Sequence, residues 1–157
     1  MKRNLFALIV LATLTASSDS LLADLTASQL RSSVGSRSQR GSYFDQSGRR
    51  IGSSRTFGGQ TRYTDRSGRM TQTSRRHNNH TTFSDSSGRR IGSSRTFGRR
   101  TSFYDRSGRQ DGYSLKSGNR TTYFDRSGRS AGSSRTSNGR TTFYDRTGRL
   151  SGSSRNR

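Results

Sequence analysis

The sequence predicts an all-β protein in which tandem 20-residue β-hairpin repeats form an antiparallel meander. Three observations carry that expectation. Asp recurs at 45, 65, 85, 105, 125 and 145, a strict interval of 20 residues without insertion, and periods of this size mark solenoids and arrays. A second turn signal falls about midway through each unit, clearest in Ser137-Asn138-Gly139-Arg140, where Asn-Gly is the strongest short hairpin cue. The segments between the turns, such as Thr121-Thr122-Tyr123-Phe124, are β-branched and aromatic, as strands prefer.

The first turn has a definite chemistry. Gly follows each Asp by three residues, at Gly48, Gly68, Gly88, Gly108, Gly128 and Gly148, and Arg follows at Arg49, Arg69, Arg89, Arg109, Arg129 and Arg149. Asp suits the first position of a type I turn because its side chain bonds the backbone ahead of it. Gly takes the left-handed conformation that completes a three-residue hairpin loop with a bulge. Asp125 and Arg129 are then expected to face each other as an opposite-charge pair, followed outward by Phe124 with Ser130, Tyr123 with Ala131 and Thr122 with Gly132.

The second turn is expected at Phe57-Gly58-Gly59-Gln60, His77-Asn78-Asn79-His80, Phe97-Gly98-Arg99-Arg100 and Ser117-Gly118-Asn119-Arg120 as well. Two tight turns per unit leave strands of about six to eight residues, up to twelve in all. Side chains alternate along a strand, so neighbours such as Phe143 and Tyr144 point to opposite faces and each face carries an aromatic row. The hydrophobic share is 24%, about half of the roughly 45–50% usual in globular chains. A single-layer sheet of this composition needs support from neighbouring units, a second copy or a ligand. A 20-residue β-solenoid coil and a chain largely disordered without a partner are the competing architectures.

The N-terminus reads differently. Lys2 and Arg3 precede an apolar run from Leu5 to Leu14, with small residues at Ala16, Ser17 and Ala23. That is the pattern of a secretory signal peptide, expected over 1–23; the run is shorter than the ~20 residues that span a bilayer, so no transmembrane anchor is expected. A flexible linker is expected over 24–40, with a short helix possible between Leu21 and Leu30, and six repeats over 41–157. The expected setting is secreted, periplasmic or at the cell surface.

Enzymatic constellations are missing. There is no Cys and no Glu, and the histidines are His77 and His80 alone. A Ser nucleophile lacks a base at any recognisable spacing, and the periodic Asp residues have a turn to build and lie beside Arg, which keeps them ionised. No catalytic residue, metal site or cofactor is expected. His77 and His80 flank a turn and could share a metal ion, but they occupy the places of Phe57 and Gln60 one unit earlier. Unit four departs most from the repeat, at Asp111 and at Leu115-Lys116.

What remains is arginine. The formal charge is +21, and the only lysines are Lys2 and Lys116. Arg55, Arg75, Arg95, Arg135 and Arg155 recur at one phase of the repeat; Arg100, Arg120 and Arg140 recur at another. Equal phase on a meander means a row along one face, and guanidiniums beside aromatics suit phosphates, sulfates and uronates. Anionic polysaccharide, lipopolysaccharide and nucleic acid are the candidate partners for these eight residues, with self-association as a further contact. A non-enzymatic structural or binding role at the envelope or matrix is the leading expectation. An intracellular Arg/Ser/Gly-rich nucleic-acid binder is the alternative.

The stretches Phe103-Tyr104-Asp105-Arg106-Ser107-Gly108-Arg109 and Phe143-Tyr144-Asp145-Arg146-Thr147-Gly148-Arg149-Leu150 resemble the YD repeat of Rhs-type proteins, whose core is aromatic-Asp-x-x-Gly-Arg followed by an apolar residue. The Tyr before Asp is replaced by Phe44, Thr64, Ser84 and Phe124, and the apolar residue survives as Met70 and Leu150. The resemblance extends over 41–157 and implies a β-hairpin array in a short exported protein of Gram-negative bacteria, or an accessory to an Rhs-like surface or toxin system.

Overall fold

A computed structural model describes residues 39–156. The expected signal peptide, the expected helix near Leu21 to Leu30 and most of the expected linker lie outside the described residues. Twelve strands run in chain order: β1 Gln39–Asp45, β2 Arg50–Phe57, β3 Gln60–Asp65, β4 Met70–His77, β5 His80–Asp85, β6 Arg90–Phe97, β7 Arg100–Asp105, β8 Gln110–Ser117, β9 Arg120–Asp125, β10 Ser130–Ser137, β11 Arg140–Asp145 and β12 Leu150–Asn156. Every strand pairs antiparallel with its neighbours in sequence, so the all-β meander is as expected. The first strand starts at Gln39, taking in two residues of the expected linker.

The sheet is not open. β1 also pairs with β12, from Gly41↔Asn156 to Asp45↔Gly152, and the meander closes into a barrel. Closure removes both edges, which an open sheet would leave as rows of unpaired N–H and C=O groups. It also supplies the support a single layer lacks, because one face now packs against itself.

What fills the lumen is a ring of six aromatics. Tyr43, Tyr63, Phe83, Phe103, Tyr123 and Phe143 stand one per repeat on the odd-numbered strands. Phe83 is 0% exposed, Phe103 and Tyr123 2%, and Phe143 1%; Tyr43 packs against the cluster and lies 6.4 Å from Tyr63, centroid to centroid. Small residues flank most of the rings on the even-numbered strands, the exception being Tyr63, which faces Ser54 on one side and the buried Gln72 on the other. Phe143 faces Gly152 on one side and Ser134 on the other, and Phe103 faces Gly112 and Ser94. Alternating large and small side chains lets a twelve-stranded lumen fill without a second layer. Burial of each of these rings contributes roughly 1.5–3 kcal/mol.

Most of the rest of the interior is hydroxyl, with Gln72 and one guanidinium nitrogen of Arg76 buried as well. Thr56 and Thr61, Thr96 and Thr101, and Thr136 and Thr141 pair across the sheet at 2.9, 3.1 and 2.9 Å. The Tyr123 and Ser134 hydroxyls lie 2.8 Å apart, and Tyr43 donates to Ser54 at 2.8 Å. Buried polar groups are tolerated when bonded, so Ser and Thr can line a core that composition alone counts as polar. Burial pushes the Tyr43 phenol up to about 12, against the opposing pull of the Ser54 bond, and raises Tyr63 well above its ordinary value.

The two rims carry different turns. At one rim the Asp turns close β1–β2 and its five equivalents: the Gly48 N–H donates to the Asp45 carbonyl at 3.0 Å and the Asp45 N–H to the Arg49 carbonyl at 3.0 Å. Gly48 has φ +78°, the left-handed value expected of it. At the other rim are five dipeptide turns, together with both ends of the described chain. Asn138 and Gly139 both have positive φ, 48° and 73°, as a type I′ turn requires.

The expected pairing beyond the Asp turn needs one correction. Phe124 does face Ser130, but a bulge passes over Ala131, so Tyr123 faces Gly132 and Thr122 faces Ser133. The same irregularity recurs at Phe143/Tyr144 and Phe103/Tyr104. Gly52, beside the bulge in β2, lies so close to the Thr64 carbonyl of β3 that an added Cβ would sit 2.5 Å from it.

Candidate functional site

The Asp residues build turns, and they do so through the backbone. Asp45 Oδ1 accepts from the Ser47 N–H at 2.9 Å, the Arg49 N–H at 2.9 Å and the Ser47 hydroxyl at 2.6 Å. The same three bonds recur at Asp65, Asp85, Asp125 and Asp145, where Thr147 replaces Ser. The hydroxyl bond is the largest cause holding Asp45 below the usual carboxylate range, and the Arg49 charge is the smallest. The expected Asp–Arg charge pair is therefore corrected: Arg49 contributes mainly its N–H, and its guanidinium adds a weak long-range attraction.

Alternation then sorts the arginines. On the even-numbered strands Ser54, Ser134 and Ser154 point inward, so Arg55, Arg135 and Arg155 point outward; on the odd-numbered strands Thr121 and Thr141 point inward, so Arg120 and Arg140 point outward. All eight arginines expected to form a surface are exposed. Their two phases merge into one band, because the series meet as cross-strand partners: Arg120↔Arg135 and Arg140↔Arg155. Arg40↔Arg55 and Arg55↔Arg62 extend the band around the closure. Gln60 and His80 take the odd-strand place opposite Arg75 and Arg95. In unit four Leu115 stands opposite Arg100.

This belt encircles the half of the barrel nearest the dipeptide turns, and among the described residues that half holds no acidic side chain. All seven Asp residues between 39 and 156 lie at the Asp turns or, for Asp111, within the first two residues of a strand leaving one. Like charges set directly across a sheet oppose each other, so the belt is an electrostatic strain that closure concentrates on one ring. Burial lowers His80, and the nearby charges of Arg95, Arg90 and His77 add to the shift. His77 and His80 are direct cross-strand partners, but no group of three metal-ligating side chains exists among the described residues.

One feature of unit four was not legible as such. Tyr113 takes the outward place held by Ser93, Ser133 and Ser153 in other units. Its ring stacks on Phe124 at 4.7 Å and 13°, and the Arg100 guanidinium lies 4.0 Å from its centroid. Leu115 and Lys116 drew notice in the sequence; the Tyr-for-Ser exchange two residues earlier was the signal that could have pointed here.

The fold and belt define a class: a closed antiparallel barrel plugged by aromatics and girdled by guanidiniums. No protein family model and no curated protein matches the chain. Among solved structures, an X-ray structure of a protein from Arabidopsis thaliana is similar at 10% identity and TM-score 0.50, covering 74% of this chain and 78% of that one. That likeness speaks for the fold alone. A GtfA/B complex bound to UDP and GlcNAc aligns at 13% identity over 62% of this chain and 22% of that one, with a TM-score of 0.24, which carries no argument. No helix among the described residues is long and apolar enough to cross a membrane.

Proposed function

We propose that this chain is an exported, non-catalytic barrel that holds anionic polymers against its arginine belt. The observation that carries the reading is the segregation of charge: the belt half has guanidiniums facing guanidiniums across the ladder and no carboxylate. Folding does not require this. Leu115 and Gln60 occupy belt places without disturbing the register, so arginine at the remaining places answers to something outside the fold. A polyanion laid along the ring would relieve the repulsion and meet paired planar donors. The basic and apolar segments ahead of Ala23 support export.

The test is salt-resolved titration of the mature chain with polyphosphate and with heparin. Affinity is expected to fall steeply as salt rises, since each neutralised anion releases a counterion. Replacing Arg120, Arg135, Arg140 and Arg155 with Ser should abolish most of it. Replacing Arg66, Arg106, Arg126 and Arg146 at the opposite rim removes the same charge and should leave much more binding intact. Equal losses from the two sets would reduce the effect to net charge and overturn the belt.

A further inference from the structure

Tyr113 shows what the outer face can hold. It stands on β8 between two walls, the Arg100 guanidinium from β7 and the Phe124 ring from β9. The register that builds those walls repeats. Ser102↔Tyr113 and Tyr113↔Phe124 in unit four correspond to Thr122↔Ser133 and Ser133↔Tyr144 in unit five. They correspond again to Thr142↔Ser153 and Ser153↔Phe44 in unit six, across the closure. Arg120 and Arg140 stand where Arg100 stands. Units five and six therefore keep both walls and replace the ring between them with a serine.

We propose that these two places are base-stacking slots, in which a nucleobase of a single-stranded nucleic acid takes the position that Tyr113 takes in unit four. The proposal deepens the belt reading and rests on it. Three observations support a base over a sugar ring. The walls of the Ser133 slot rise from β9 and β11, two strand spacings or about 9.6 Å apart, which admits one planar ring in contact on both faces. A guanidinium wall favours an occupant with a π face; a nucleobase offers one to each wall, and a pyranose offers none. Unit four, whose slot is filled, has Leu115 in place of the belt arginine, whereas units five and six keep Arg135 and Arg155 beside the slot, where a phosphate would lie. The unit that supplies its own ring has also lost its phosphate partner.

The two slots differ in readiness. Ser133 is half-buried. Ser153 is 4% exposed, and the Arg140 Nη2 donates to its hydroxyl at 3.3 Å, so the guanidinium rests on the floor of that slot and a base would lift it onto its own face. Ser133 is thus the first slot to fill.

The experiment compares the full mature chain with three probes: a labelled 12-mer of oligothymidine, the same chain of phosphates with abasic sugars, and heparin. Oligothymidine is expected to bind at least roughly tenfold tighter than the abasic strand, the size of one stacked base. Ser133→Tyr with Ser153→Tyr, a residue the chain itself carries at 113, should bring oligothymidine down to the abasic level. Tyr144→Ser, a residue the chain carries at 84, removes a wall instead of filling a slot and should lower the base-dependent gain by severalfold. Tyr113→Ser opens a third slot and should raise it. Equal binding of the two strands, or no change in any slot variant with a normal melting curve, overturns the slots and leaves the belt standing. Heparin binding without oligothymidine binding assigns the belt to polysaccharide and rejects the slots. Failure of all three probes at low salt overturns the belt itself.

Discussion

At one rim of the barrel six turns carry the same Asp-x-x-Gly-Arg sequence; at the other, five turns carry Gly-Gly, Asn-Asn, Gly-Arg, Gly-Asn and Asn-Gly. The uniform rim is held by side chain to backbone bonds in which each Asp has a stated job. The variable rim needs only residues that accept positive φ at the first turn position, and Gly58, Asn78, Gly98, Gly118 and Asn138 all do. Beside the uniform rim lie all the acids of the barrel, and beside the variable rim lies the acid-free belt. Repetition at the first rim is explained by folding. Repetition of arginine near the second is not, and that difference is why function is sought there.

Both rims depend on closure, so the largest effect should come from opening the barrel. Ending the chain before Leu150 removes β12 and leaves β1 and β11 as bare edges. The expected result is loss of a cooperative melt by circular dichroism and self-association by size exclusion. A monomer that still melts cooperatively would mean that the repeats stand without the ring.

Next in size is the contrast between inside and outside. Phe83→Ala should cost about 3–5 kcal/mol in a denaturant titration, the usual range for a buried aromatic. Phe97, 85% exposed beside a dipeptide turn, should change stability by about 0.5 kcal/mol or less on the same substitution. Similar values for the two would remove the aromatic ring from its place as the core.

The sequence made the period, both turn chemistries and the alternation legible, because each is decided within a few residues. Closure was not legible, since no local pattern counts strands; it depends on the summed twist and on whether six rings fill the space the last pairing encloses. A trace of it existed: Gly152 and Ser134 stand nine residues either side of Phe143, and this small-large-small spacing recurs in most units. The bulge at Ala131 escaped because it adds one residue to β10 against β9 without changing composition. The belt was half legible. Two arginine phases were visible, but that they are partners on one rung required the register.

Acid should separate the rims. The folded-state values of Asp45, Asp65, Asp85, Asp125 and Asp145 are lowered, first by the hydroxyl bond from Ser47, Ser67, Ser87, Ser127 or Thr147. A carboxylate whose folded value lies below its unfolded value of about 3.9 contributes stability above that pH and loses it as pH falls through the folded value. The melting temperature should therefore hold steady above about pH 5 and drop by several degrees below about pH 4. Replacing these five residues with Asn should lower the neutral-pH melting temperature and flatten the acid limb, whereas changes in the belt should leave the limb in place. Tyr43 predicts the opposite limb. Its phenol is favoured neutral in the fold, so stability is full below about pH 10 and declines as pH rises toward 12.

The smallest effect is the most telling, because its sign is unusual for a substitution at a repeated residue. Arg135→Ser, made with Arg120→Ser, removes a like-charge pair set directly across the ladder. Both side chains are exposed, so little packing is lost with them. Repulsion across a sheet is worth roughly 0.2–1 kcal/mol per pair, screened within about 10 Å at 0.1 M salt. The double variant should therefore melt slightly higher than the parent at low salt, and the gain should vanish in high salt. Two arginines of the uniform rim, Arg126 and Arg146, sit on separate turns among the turn carboxylates, and their double replacement should show no gain. A higher melting temperature would mean that these arginines weaken the free barrel, which supports the proposed role as places held for an anion; a destabilised double variant would remove that ground.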